Sequence, residues 1–130
     1  EVGKFKKLLN LNEKLLIDGC HSIASAMNLH NYLKTLKEPI YGIWGMQKNK
    51  LPDQFIKSFN NIFEKLIVVP ISNEPNALKV NELKKIGEKY FITNTANNIQ
   101  TALKKISSKK NKTIVIFGSV YLVGEVLSKN

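Results

Sequence analysis

Short runs of consecutive apolar residues alternate along this chain with longer stretches in which apolar residues recur every three or four positions. Residues 14–17 read as a short buried strand. A helix follows over 22–36, with Ile23, Ala26, Met27, His30 and Leu33 spaced as one inward face. A second strand covers 40–44, between Pro39 and Gly45. Residues 53–63 read as a helix with Phe55, Ile56, Phe59, Ile62 and Phe63 inward, and Pro52 sits where a helix start tolerates proline. A third strand over 66–69 ends at Pro70. Beyond a polar loop at 72–76, a helix spans 81–90 with Leu83, Ile86 and Tyr90 on one face. A brief strand at 91–92, a helix over 98–106 and a charged turn at 107–111 come next. The last strand, 113–117, is apolar throughout, and 120–129 closes the chain as a helix.

Continuously apolar strands separated by helices predict a mostly parallel sheet with helices on both faces. The expected fold class is α/β, Rossmann-like in topology. In such sheets ligands gather at the carboxyl ends of the strands. That rule singles out residues 18–22, 45–50, 71–77, 92–94 and 118–121.

Composition narrows the picture. A length of 130 residues suits a single domain with a real core, and 43% hydrophobic residues argue against disorder. No run of about 18 apolar residues exists to span a membrane. The chain opens on Glu1, Val2, Gly3 and Lys4, without an initiator Met or a signal-peptide core, so a fragment of a longer protein is expected. The single Cys20 has no partner for an internal disulfide, fits a cytoplasmic setting, and is expected to be a small buried hydrophobe.

The net charge of +10 raises nucleic-acid binding. All twenty basic residues are Lys, however, and they are spread along the chain. Arg, the better reader of phosphates and base edges, is absent. The expectation is no nucleic-acid partner and no membrane partner.

Two segments carry candidate chemistry. Asp18 follows a buried strand, and His21 stands at a helix start. A carboxylate at a strand end either accepts from a ribose diol or, with Ser22, caps the helix. The helix N-terminus offers N–H groups to a phosphate or carboxylate, and His21 could donate to the same anion. In the second segment, Gly118 and Ser119 form a turn between strand and helix. Gly118 permits close backbone approach, while Ser119 either caps the helix or donates to a carboxylate. There is no P-loop and no zinc spacing. His30, Tyr41 and Trp44 read as core residues.

These segments resemble a known family. Leu16-Ile17-Asp18-Gly19-Cys20-His21-Ser22 is similar to the D-G-A-H-N-P motif opening the C-terminal domain of folylpolyglutamate synthases and dihydrofolate synthases, members of the Mur ligase superfamily. Tyr41-Gly42-Ile43-Trp44-Gly45-Met46 looks like their second strand and Gly-Met turn. Glu74-Pro75-Asn76-Ala77-Leu78 is similar to their E-x-R-A-L loop. Phe117-Gly118-Ser119-Val120-Tyr121-Leu122-Val123-Gly124-Glu125-Val126 resembles their terminal G-S-L-Y-L-x-G-E-V signature, the most specific of the four. Cys20, Ser22 and Ile23 replace the family's Ala, Asn and Pro, Asn49-Lys50-Leu51 stands where D-K-D is common, and Lys4 aligns with an Arg.

The resemblance implies a single C-terminal domain over 1–130, inactive alone, from an enzyme that uses ATP and Mg2+. That enzyme activates a pterin carboxylate as an acyl phosphate and joins it to L-glutamate. It also implies roles: Asp18 and Lys4 for nucleotide binding, His21 for catalysis near phosphates and incoming amine, and Ser119 and Tyr121 for glutamate binding. The P-loop and the metal ligands would lie in a missing N-terminal ATPase domain of the same chain, and the whole is expected to be monomeric. Another Mur-type ligase or a generic Rossmann-like nucleotide-binding domain is the alternative.

Overall fold

The computed structural model describes residue 9, residues 12–108 and residues 110–128. Lys4 lies outside them. Five strands form one sheet: β1 (Glu13–Asp18), β2 (Ile40–Trp44), β3 (Phe63–Val68), β4 (Thr93–Thr95) and β5 (Lys112–Phe117), in the order β1-β5-β2-β3-β4, all pairs parallel. The helices are α1 (Ile23–Leu33), α2 (Pro52–Lys57), α3 (Val80–Glu88), α4 (Ile99–Ile106) and α5 (Val120–Ser128). This is the α/β, Rossmann-like class that the apolar strands predicted.

Handedness assigns the layers. From β1 to β4 the chain steps across the sheet in one direction, and right-handed crossovers put α1, α2 and α3 on one face. It then returns from β4 to β5, which puts α4 on the other. The strand side chains follow with period two. Val115, Phe117, Trp44, Leu66 and Val68 pack with Ala26, Leu29, Leu33, Phe55, Ile56 and Leu83. Ile114, Ile116, Ile43 and Ile67 pack with Ile99, Ala102, Leu103, Leu122 and Val126. On the first face Phe117 stacks within 5.1 Å of Phe63 and Phe59 and 6.4 Å of Trp44, an aromatic block beneath the carboxyl edge.

Several boundaries differ from the periodic pattern. The helix expected over 53–63 ends at Lys57, because Asn61 takes a left-handed φ of 57° and the chain turns into β3 at Phe63. Phe59 and Phe63 satisfy helical spacing, yet Phe63 is buried as a strand residue. The strand expected at 91–92 instead forms at Thr93–Thr95, and Ile92 is 71% exposed. On α1 the inward face is Ala26, Leu29 and Leu33, whereas Met27 is 55% exposed and Ile23 lies at the rim. His30 is half-buried, its Nε2 3.4 Å from Asn60 O. Trp44 is core as expected, and Tyr41 packs partly buried against the second cluster.

At the amino edge the charge pattern misleads most. Lys112, in the densest lysine run, is buried and pairs at 3.2 Å with a fully buried Glu13. Glu13 also accepts from Ser107 Oγ and Ser108 N at 2.9 Å, and Lys112 donates to Ile106 O at 3.0 Å. The pair therefore joins β1, β5 and the end of α4. Removing one partner strands a buried charge, which costs about 3–5 kcal/mol. Lys112→Met should therefore lower stability by about that much in urea unfolding, and adding Glu13→Gln should recover a good part of it.

Candidate functional site

Sheet register builds the site. Asp18, Phe117, Trp44, Val68 and Thr95 stand level across the five strands. The segments leaving them therefore share the carboxyl edge.

The β1–α1 turn is self-braced. Asp18 Oδ1 accepts from Cys20 N at 2.9 Å, closing a short turn. Ser22 is the N-cap: its Oγ accepts from Ser25 N, while Ser25 Oγ accepts from Ser22 N, both at 3.1 Å. That capping box takes two of the four free amino-end N–H groups, leaving those of Ile23 and Ala24. Ser22, not Asp18, caps the helix. His21 Nδ1 lies 3.1 Å from Gly19 O. A carbonyl only accepts, so Nδ1 carries the proton, and a neutral His21 presents Nε2 as an acceptor. Donation from Nε2 to an anion requires the imidazolium.

The β5–α5 turn meets the first. Gly118 adopts φ +109°, and a Cβ there would lie 2.3 Å from Gly45 O and 2.5 Å from Trp44 Cδ1. Only glycine fits. Ser119 is 2% exposed, and its Oγ accepts from Tyr121 N at 3.0 Å, so its hydroxyl hydrogen remains to donate. Tyr121 is 54% exposed. A Cβ on Gly19 would stand 3.1 Å from Val120 Cγ1, so the two turns are in contact. The β2 turn adjoins them: Leu78 N donates to Met46 O at 2.8 Å and Lys48 N to Asn76 O at 2.8 Å, drawing the 71–78 loop to the same edge. A cleft among Pro70, Ser72, Asn98, Gln100 and Glu125 opens beside it.

Asp18, His21 and Ser119 therefore lie on two adjoining turns, with Tyr121 in the first turn of α5, as the strand-end rule expects. The floor beneath these turns has two features, and sequence reasoning missed the unpartnered indole nitrogen of the first. The first is Trp44, whose Nε1 is buried without a hydrogen-bond partner among the described residues, directly under Gly118. The second is the seat of Cys20. Burial, then the neighbouring Asp18 carboxylate, pushes its thiol up to about 12, against some relief from a hydrogen bond to the Gly118 backbone. Cys20 is thus a buried neutral thiol, as expected from its isolation in the sequence.

Two outcomes test this floor. Gly118→Ala should destabilise by more than the roughly 1–2 kcal/mol of a left-handed non-glycine residue, because its Cβ also collides with Gly45 O; chemical denaturation reads this. For Cys20, the unfolded thiol ionises near pH 9 while the folded one holds its proton to about 12. The folded state then binds more protons, so stability falls as pH rises from 9 to 12. The slope of melting temperature against pH over that window should be shallower in Cys20→Ala than in the parent.

The comparisons converge on one family. Residues 2–129 match the profile described as "Dihydrofolate synthetase, C-terminal domain". The chain is similar to the dihydrofolate synthetase of Saccharomyces cerevisiae, at 23% identity over 137 aligned positions, covering 95% of this chain and 32% of the relative. Its fold is similar to that of Mycobacterium tuberculosis folylpolyglutamate synthase complexed with ADP and AMPPCP (TM-score 0.76, 23% identity, 88% of this chain, 29% of that one). It is also similar to that of Escherichia coli FolC in complex with DHPP and ADP (TM-score 0.77, 15% identity, 88% and 28%). The chain thus spans under a third of the length of each. No helix among the described residues is long and apolar enough to cross a membrane.

Proposed function

This chain belongs to the dihydrofolate synthetase family as its C-terminal domain, and from that premise we propose that residues 1–130 are one domain of a cytoplasmic, ATP-dependent ligase joining L-glutamate to dihydropteroate or a folate. The observation that carries the proposal is the meeting of the Asp18–Ser22 and Gly118–Tyr121 turns at one carboxyl edge.

The residues suit a nucleotide. When bound, ATP supplies the phosphoryl group that activates the pterin carboxylate. Asp18 accepts from Cys20 N and from the Cys20 thiol, and the acceptor positions that remain on its carboxylate suit a ribose diol. The N–H groups of Ile23 and Ala24 and the positive end of α1 favour an anion. Lys4 would add a cation on the phosphates. The Mg2+ ligands are assigned to the ATPase domain, as the family resemblance implies.

His21 is the proposed catalytic residue. With Nδ1–H held by Gly19 O, its Nε2 accepts the proton that glutamate's amine must lose before attacking the acyl phosphate. Ser119 donates its hydroxyl to a glutamate carboxylate while its oxygen orders the first turn of α5. Tyr121 lines the same side. Closure of the ATPase domain over this edge excludes the water that would hydrolyse the acyl phosphate.

Asp18→Asn tests the reading in the full-length enzyme. Asn keeps an oxygen for Cys20 N but replaces the other acceptor with a donor. Hydrogen bonds to a charged group contribute about 1.5–3 kcal/mol, so the KM for ATP should rise about tenfold to a hundredfold with the melting temperature nearly unmoved. A lower melting temperature with unchanged ATP kinetics would reduce Asp18 to a brace of its turn.

A further inference from the structure

Nothing among the described residues explains the outer face of α5. Leu122 and Val126 on its inner face are fully buried. Opposite them, at helical spacing, stand Val120, Gly124 and Leu127. Val120 is 53% exposed and Leu127 58%. No charged residue lies on this stripe, although 23% of the chain is charged. The helix on the same face of the sheet behaves differently: α4 exposes Gln100, Lys104 and Lys105, although α1 on the opposite face also exposes apolar residues, Ile23 and Met27.

Gly124 sharpens the contrast. Mid-helix glycine destabilises a helix relative to alanine. Where the domain itself needs the space, as at Gly118, a Cβ would collide. A Cβ on Gly124 meets nothing within 4 Å, so nothing among the described residues requires the missing side chain. A glycine notch between two exposed aliphatic side chains is the shape that lets another backbone approach closely.

We propose that the Val120–Gly124–Leu127 stripe is an intramolecular docking face, covered in the full-length protein by an apolar helix or loop from the polypeptide outside these 130 residues. The proposal rests on the reading of this chain as one domain of a larger ligase. Two observations select that occupant. The chain covers only 32% of its yeast relative and 29% of the mycobacterial one. The stripe also begins at Val120, in contact with Gly19 at the carboxyl edge where the ATPase domain is placed. A second copy fits less well, because a nine-residue helix face is only about 14 Å long and 10 Å wide, far below the roughly 800 Å² per partner of a stable dimer.

The test uses the full-length protein. Leu127→Cys, compared with Lys104→Cys on α4, is labelled with a small maleimide and quantified by peptide mass spectrometry. A covered face makes position 127 react about tenfold or more slowly, at the pace of local opening. Gly124→Leu gives an independent sign. On an open surface it improves helix propensity and raises the melting temperature; under a closely packed neighbour it lowers it. Equal labelling at 127 and 104, or a raised melting temperature, overturns the proposal. Protection that vanishes on dilution assigns the face to a second copy and also overturns it. Ligase assay of the parent protein keeps the two claims apart: an inactive parent sinks the functional reading, while the labelling still decides the docking face.

Discussion

Strand β5 is hydrogen-bonded on both sides and covered on both faces, and all six of its residues are buried. It enters the sheet last in sequence yet lies between β1 and β2. Its insertion depends on contacts between residues about 70 to 100 positions apart, including the Glu13–Lys112 pair at one end and the register Asp18↔Phe117↔Trp44 at the other. Without it β1 would have no partner, and the two turns of the candidate site would not meet. The parallel pairing thus fixes both the core and the geography of the chemistry.

The site's floor shows how tightly that geography is held. Gly118 passes over the indole of Trp44 with no room for a Cβ, and the rings of Phe55 and Phe117 stack on the indole, with Phe59 and Phe63 packed against Phe117 in turn. Rigid packing beneath a turn is a good base for exposed groups such as Tyr121, whose position is then set by backbone and not by its own contacts. Cys20 belongs to the same floor: its buried, neutral thiol lies between the Asp18 and Gly118 turns.

The two ends of the sheet divide their labour through burial. At the amino edge, charges are buried, mutually paired and capped by Ser107 and Ser108, so they hold strands together. At the carboxyl edge, Asp18 and His21 are half-exposed and the buried Ser119 keeps a hydroxyl hydrogen to donate, so these groups suit a ligand. The outer face of α5 continues from that edge as an apolar surface, with Val120 and Leu127 exposed.

What the sequence determined by itself was local and periodic. Apolar runs at 40–44 and 113–117 required buried strands, the run at 14–17 gave a strand that its place at the sheet edge leaves only half-buried, and Gly118-Ser119 after a strand required a turn and a helix start. The motifs around Asp18 and Ser119 carried the family resemblance, because those residues are consecutive. Tertiary structure decided what depends on neighbours far along the chain. Spacing alone allowed Phe63 to end a helix, but a left-handed Asn61 and pairing with β2 made it a strand residue. Spacing also put Met27 inward on α1, whereas the sheet's position selected Leu29. Lys112 was one of the lysines spread along the chain, and only Glu13, ninety-nine residues away, made it a buried partner. The physical reason is common to all three: periodicity records which side chains are apolar, while burial and pairing are set by which surface each face meets.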